Sequence, residues 1–136
     1  GIIFIILICI FSDTGGYGIG RLIGGKKLTK ISPNKTISGS FGSFVFSLLP
    51  LIIYLTIYKV TGNVNFYSNN IIELIYVSLF LSFVCQIGDL FISYFKRKAK
   101  VKNTGSILPG HGGLLDRIDG LIFVLPVASI VDKILF

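Results

Sequence analysis

The feature that most constrains this chain is the segment 71–95, "IIELIYVSLFLSFVCQIGDLFISYF", in which apolar side chains follow one another with few interruptions. A helix rises about 1.5 Å per residue, so this segment is long enough to cross the roughly 30 Å hydrocarbon core of a bilayer. A second such run lies at 42–60. Only 14% of the residues are charged and 52% are hydrophobic. These features predict an all-α integral membrane protein.

Two further apolar segments are less straightforward. The segment 114–136 can span a bilayer only if Asp116, Arg117 and Asp119 lie at the interface or face the protein interior. The first run, 1–11, is too short to cross alone and lacks the basic start and cleavage site of a signal peptide. We interpret it as the end of a longer helix, and the chain as the carboxy-terminal part of a longer protein.

The predicted fold is therefore a polytopic transmembrane helix bundle with about three full spans plus a truncated first helix. It forms a single membrane-embedded domain over 1–136. The expected helices lie at about 1–12, 42–60, 71–95 and 114–136, and the expected cytoplasmic loops at 13–40 and 96–113.

The basic residues predict the orientation of this bundle. Of the 13 Lys and Arg residues, five lie in 13–40 and five in 96–113, with two predicted spans between these loops. Basic loops stay on the cytoplasmic side, and two spans return the chain to the same side. The net charge of +7 is explained by this anchoring. We expect no nucleic-acid partner, because neither loop interleaves base-stacking aromatics with its basic residues.

Four of the six acidic residues fall at one predicted membrane depth: Asp13, Asp89, Asp116 and Asp119. Carboxylates inside membrane segments cost about 2.5–3.5 kcal/mol at a helix centre and often mark function. Asp116 and Asp119 are three residues apart and share a helical face. Two interpretations stay open. The acids pair with nearby basic residues, or they bind Mg²⁺, which takes a few carboxylates, waters and substrate phosphates.

Two glycine-rich segments adjoin the basic residues: "DTGGYGIGRLIGGKK" at 13–27 and "PGHGG" at 109–113. Backbone amides in such segments can approach a phosphate closely. Neither segment matches a dinucleotide-binding or Walker motif. Gly16, Gly20 and Gly24 are spaced by four, which also predicts a small-residue stripe for close helix packing. The two interpretations are compatible.

The segment 93–119, "SYFKRKAKVKNTGSILPGHGGLLDRID", closely resembles the signature of the phosphatidate cytidylyltransferase family and matches all but one of its fixed positions. "QIGDLFIS" at 86–93 is similar to the family's G-D-L-x-x-S stretch. "SDTGGYGIGRLIGGKKL" and "SPNKTISG" resemble its D-T-G-A-Y-x-x-G-R and S-P-K-K-T-x-E-G segments. The resemblance covers essentially the whole chain.

This resemblance implies a membrane enzyme of phospholipid biosynthesis that makes CDP-diacylglycerol and pyrophosphate from CTP and phosphatidic acid. It implies Mg²⁺, with a second cation as an open alternative, contact with membrane lipids, and a homodimer. The implied location is the bacterial inner membrane, with the active site on the cytoplasmic side. The resemblance assigns metal binding to Asp89, Asp116 and Asp119, catalysis to Asp89, Asp116, Arg117, Lys96 and Arg97, and substrate or nucleotide binding to Asp13, Lys35, Thr36, Lys102 and His111.

Two departures from the family pattern weaken the case for activity. Asn103 replaces an aspartate and Ser38 replaces a glutamate. If either acid supports a metal or orients a lysine, its loss lowers turnover. Together with the expected missing amino-terminal helices, this leaves an inactive remnant or subunit as an alternative. A cation transporter is a second alternative, although transport has no use for the basic loop or for "PGHGG".

Overall fold

The computed structural model describes residues 2–61, 70–101 and 115–135, with side chains described throughout except at 58, 61, 115–118, 132, 134 and 135. These residues form five helices: α1 (Ile2–Ile23), α2 (Ile37–Phe46), α3 (Leu49–Thr61), α4 (Ile71–Lys98) and α5 (Leu115–Leu135). An isolated antiparallel bridge between Lys27 and Thr36 closes the loop that joins α1 to α2. The predicted all-α class is confirmed.

Three helical segments are long and apolar enough to cross a membrane: Ile2–Ile23, Ile37–Ile57 and Ile71–Lys98. A shorter apolar helix covers Asp119–Val131. Three long helices and one shorter helix are thus confirmed, but the shorter one is the last rather than the first. The predicted bounds of the first helix (1–12) and of the loop after it (13–40) were wrong. Helix α1 has 22 residues and is about 33 Å long, and the loop before α2 covers only 24–36.

Helix α1 continues through its glycine-rich half because the glycines pack against α2. A Cβ atom added at Gly39 would lie 2.6 Å from the Gly16 carbonyl oxygen, and one at Gly42 would lie 2.8 Å from the Gly15 carbonyl oxygen. Only hydrogen atoms fit in these positions, so the two backbones are in direct contact. This packing offsets the low helix propensity of glycine, which costs about 1 kcal/mol per residue relative to alanine.

The predicted glycine stripe holds for two of its three members. A Cβ at Gly20 would lie 2.8 Å from the Thr36 hydroxyl, so Gly20 continues the α1–α2 contact that Gly16 makes. Gly24 lies beyond α1 with a φ of +65°, and nothing lies within 4 Å of its Cβ position. Its N–H donates to the Gly20 carbonyl at 3.0 Å. Gly24 therefore terminates α1 through a left-handed conformation, and packing does not require it.

The predicted single helix at 42–60 is two helices, since α2 ends at Phe46 and α3 begins at Leu49. Pro50 is the second residue of α3 and explains the break. Proline lacks an N–H group and disfavours helical geometry in the residue before it, but it is accepted in a first helical turn.

The core of the bundle lies where α1, α4 and α5 meet. Ile8, Cys9, Leu81, Cys85 and Val124 are its most buried apolar side chains. The two cysteines are free and fully buried, as expected of small apolar packing residues.

The carboxyl end of α4 lies beside the loop at 24–36. Arg97, in the last turn of α4, donates through Nε to the Ile31 carbonyl at 3.4 Å. The end of α4 and the basic loop after α1 therefore share one end of the bundle, as the predicted topology requires.

A hydrogen bond between Ser12 of α1 and Ser82 of α4 joins the helices that carry Asp13 and Asp89, with an Oγ–Oγ distance of 2.8 Å and both residues fully buried. We expect a double-mutant cycle of Ser12→Ala and Ser82→Ala to give a coupling of about 0.6–1.7 kcal/mol in the free energy of unfolding. Unfolding in mixed detergent micelles measures it. Strictly additive effects would contradict a direct bond.

Candidate active site

A cavity of about 260 Å³ opens between α1, α2, α4 and the loop at 24–36. It contains four of the residues predicted to bind substrate or metal: Asp13, Lys35, Thr36 and Asp89. The rest of the lining comes from Gly16, Tyr17, Leu28, Ser32, Asn34, Gly39, Ser40, Ser43, Gln86 and Leu90. We call this the polar cavity.

An ion pair between Lys35 and Asp89 forms one wall of the polar cavity, and both side chains are partly buried. Asp13 interacts through its charge with both of these residues. The Cys85 thiol lies 3.8 Å from Asp13 Oδ1. Two carboxylates from different helices thus lie near one lysine, and Asp89 forms the ion pair with it.

Thr36 and Ser38 organise the start of α2. The Gly39 N–H donates to the Thr36 hydroxyl at 3.1 Å, so Thr36 is the N-cap of α2. The Ser38 hydroxyl lies 3.0 Å from that of Thr36 and donates to the Gly24 carbonyl at 2.5 Å. Ser38, which departs from the family pattern, therefore ties α2 to the end of α1.

A second cavity, of about 270 Å³, lies between the end of α4 and α5. We call it the apolar cavity. Its charged residues are Lys96 and Asp119, with Lys96 Nζ 3.8 Å from Asp119 Oδ2. The rest of the lining is apolar and comes from Ile92, Phe95, Ala99, Val101 and Ile122.

Asp119 connects the two cavities. It is buried, and its Oδ1 accepts a 2.9 Å hydrogen bond from the Gly120 N–H. Its carboxyl group also interacts directly with that of Asp89, which lines the polar cavity. The Asp89–Asp119 pair therefore lies where the polar and apolar cavities meet, with Lys35 on one side and Lys96 on the other.

The Asp89–Asp119 pair is suited to a magnesium ion that also binds water and substrate phosphates. It is less suited to a metal bound by protein ligands alone. Among the side chains that the structure describes, no three His, Cys, Asp or Glu residues group as a metal site. Mg²⁺ is commonly held by one or two carboxylates, waters and substrate phosphates, which Asp89 and Asp119 satisfy. The side chain of Asp116, the third predicted ligand, lies outside the described part, so that ligand set stays a prediction.

The other predicted site residues have different outcomes. Arg97 bonds to the Ile31 carbonyl and lines neither cavity. The backbone of α5 includes Asp116 and Arg117, but their side chains fall outside the described residues, as do Lys102, Asn103 and His111 entirely. Their predicted roles stay predictions.

Among the polar lining residues that sequence reasoning missed are Ser40 and Gln86, which are bonded to each other. Ser40 of α2 donates to Gln86 Oε1 of α4 at 2.5 Å, and both residues line the cavity. Gln86 precedes Asp89 by three residues and therefore shares its helical face. That spacing, in a span with few polar residues, was the available signal.

The chain is similar to curated proteins of staphylococci. The chain is 45% identical over 131 residues to the phosphatidate cytidylyltransferase of Staphylococcus haemolyticus, and 46% identical over 132 residues to those of Staphylococcus epidermidis and Staphylococcus aureus. Each alignment covers 96% of this chain and 48% of the relative, so the chain spans about half the length of these curated relatives. A family model described as the cytidylyltransferase family matches residues 1–135. Because that match extends over nearly every residue, the chain belongs to the cytidylyltransferase family.

Proposed function

We propose that the protein transfers the cytidylyl group of CTP to phosphatidic acid, giving CDP-diacylglycerol and pyrophosphate. The observation that carries this proposal is the meeting of a polar and an apolar cavity at Asp89 and Asp119. The reaction must bring a water-soluble nucleotide and a lipid phosphate to the same point. Two adjoining cavities, one lined by many polar side chains and one mainly by apolar side chains, with one carboxylate in each, are suited to that task.

The nucleotide belongs in the polar cavity. Lys35 lines this cavity and can neutralise phosphate oxygens there. The phosphatidic acid belongs in the apolar cavity, where Lys96 can receive the headgroup phosphate and Phe95 and Ile122 can contact an acyl chain.

The chemical step forms a bond between a phosphatidate oxygen and the α-phosphorus of CTP. The bond between that phosphorus and the oxygen bridging to the β-phosphate breaks, and pyrophosphate leaves with the electron pair. The attacking oxygen is already anionic, so the site needs no general base. Its task is to hold two anions together and to neutralise the developing charge, for which Lys35 and Lys96 are placed.

Asp89 and Asp119 would hold Mg²⁺, which when bound supplies positive charge to the phosphates of the nucleotide. We place this site on the cytoplasmic side of a bacterial inner membrane, because the basic loop at 24–36 lines the polar cavity and the basic end of α4 contacts that loop through Arg97. A homodimer stays a prediction.

The function is tested by mass spectrometry of CDP-diacylglycerol made from CTP, Mg²⁺ and phosphatidic acid in mixed micelles, with the protein expressed at its full natural length. Product that depends on both substrates is the expected result. No product, with Mg-CTP bound at the polar cavity, would favour the inactive alternative.

Removing each lysine should affect a different substrate. We expect Lys96→Met to raise the KM for phosphatidic acid about 10- to 100-fold, and Lys35→Met to raise the KM for CTP by a similar factor, as the loss of one charge-assisted bond predicts. Steady-state kinetics with each substrate varied in turn measures both effects. Lys59→Met, at an exposed position in the last turn of α3, is the matched control and should change neither KM. Equal effects of both variants on both substrates would contradict the assignment of the cavities.

A further inference from the structure

The polar cavity contains neutral groups that the phosphate chemistry does not use. Ser40, Ser43 and Gln86 line it together with the charged residues. Gln86 lies one turn of α4 further than Asp89 from the helix end at Lys98, and Ser40 lies one turn inside α2. A ligand whose phosphates reach Lys35 and Asp89 therefore has a neutral hydrogen-bonding region beneath them.

The side-chain amide of Gln86 is hydrogen-bonded at one of its two polar atoms and unbonded at the other. Its Oε1 accepts the hydrogen bond from Ser40 at 2.5 Å. Its Nε2 is buried and has no hydrogen-bond partner among the described residues. Buried polar groups in native proteins are nearly always bonded, so an exception beside a cavity points to a partner that arrives with the ligand. That partner must be an acceptor, because Nε2 only donates.

We propose that Gln86, oriented by Ser40, recognises the cytosine base of the nucleotide by donating from Nε2 to its O2 and N3 atoms. This inference rests on the proposed function. Cytosine presents O2 and N3 as adjacent acceptors, whereas N3 of uracil carries a hydrogen and would oppose the amide donor. The pair Ser40–Gln86 thus selects CTP over UTP, and Lys35, which contacts phosphate, acts alike on both nucleotides.

The test compares kcat/KM for CTP and UTP in the protein expressed at its full natural length. Gln86→Glu replaces the donor by an acceptor of the same shape and should lower the CTP/UTP ratio of kcat/KM by at least about 100-fold. Gln86→Met removes the amide donor, and Ser40→Ala removes the hydroxyl that orients it. Each should lower the CTP/UTP ratio of kcat/KM by about 10-fold. This ratio does not depend on the fraction of folded enzyme, so partial misfolding of a variant does not affect it.

Asn70→Asp is the matched control, since it makes the same amide-to-carboxylate change before the first turn of α4, far from Gln86. Its CTP/UTP ratio should equal that of the unaltered protein. If Gln86→Glu lowers kcat/KM for CTP and kcat/KM for UTP by the same factor, the amide contacts a part common to both nucleotides and base recognition is overturned. An unchanged ratio in Gln86→Glu and Gln86→Met also overturns it. If the unaltered protein makes no CDP-diacylglycerol, the proposed function fails and this inference fails with it.

Discussion

Replacing Asp89 by asparagine is expected to lower CDP-diacylglycerol formation about 1000-fold, the size of effect seen when a group that stabilises transition-state charge is removed. Asp89 lines the polar cavity, pairs with Lys35 and contacts the carboxyl group of Asp119. Together with Asp119, it therefore lies where the proposed nucleotide and lipid sites adjoin. Asparagine keeps its shape but loses the charge that a Mg²⁺ ion would need. Product formation by mass spectrometry measures the loss.

Glu73→Gln is the matched control for this variant. Glu73 lies in the first turn of the same helix, at the opposite end from Lys98, and accepts a hydrogen bond from Asn70 at 2.9 Å. Removing its charge should leave product formation within about twofold, as expected of a surface substitution away from the site. If Asp89→Asn retained full activity at normal expression, the carboxylate pair could not be the reaction centre.

The membrane helices could be predicted well because apolar length is a local property of the sequence. The run at 71–95 became α4, which extends only three residues further, and the last predicted helix at 114–136 became α5. The acids at one predicted depth also proved informative, since Asp13, Asp89 and Asp119 interact although three different helices carry them. Charge in an apolar span is costly wherever it lies, so its position alone predicts a site.

The extent of α1 could not be predicted in the same way. Local propensity favours a loop where four glycines fall within six residues, as they do from Gly15 to Gly20. All of these glycines except Gly18 contact α2 or its N-cap. Helix α2 supplies what propensity lacks, because it accepts these glycines at backbone distance. That partner is known only once the fold is known, so tertiary packing overrides the local signal.

The cavities themselves were also beyond prediction from the sequence. Gln86 is neutral and lies outside the G-D-L-x-x-S motif that follows it, and its place in the cavity follows from its bond to Ser40, which is 46 residues away. Ser38 was expected to weaken activity as a departure from the family pattern. In the structure its hydroxyl donates to the carbonyl of Gly24, the residue that follows α1. A glutamate at position 38 is longer and could not form this contact in the same geometry.

The close contact of α1 and α2 leads to the second large effect. Gly39→Ala is expected to lower the free energy of unfolding by about 2 kcal/mol, as overpacking does in a filled interior. The added Cβ would lie 2.6 Å from the Gly16 carbonyl oxygen, which is backbone and cannot rotate away. Relief requires α1 and α2 to separate, and this would also move Ser40 and Lys35 relative to Asp89. Unfolding in mixed detergent micelles and product formation should therefore both decline.

Gly18→Ala is the matched control, because it makes the same chemical change on the same pair of helices at a position with nothing within 4 Å. Gly18 lies inside α1, where alanine is favoured over glycine by up to about 1 kcal/mol. This variant should be as stable as the unaltered protein or more so. Changes of opposite sign in the free energy of unfolding for the two substitutions would show that the contact with α1, rather than helix propensity, requires glycine at position 39. Equal stability of both variants would contradict the direct backbone contact, and with it the explanation for why α1 continues to Ile23.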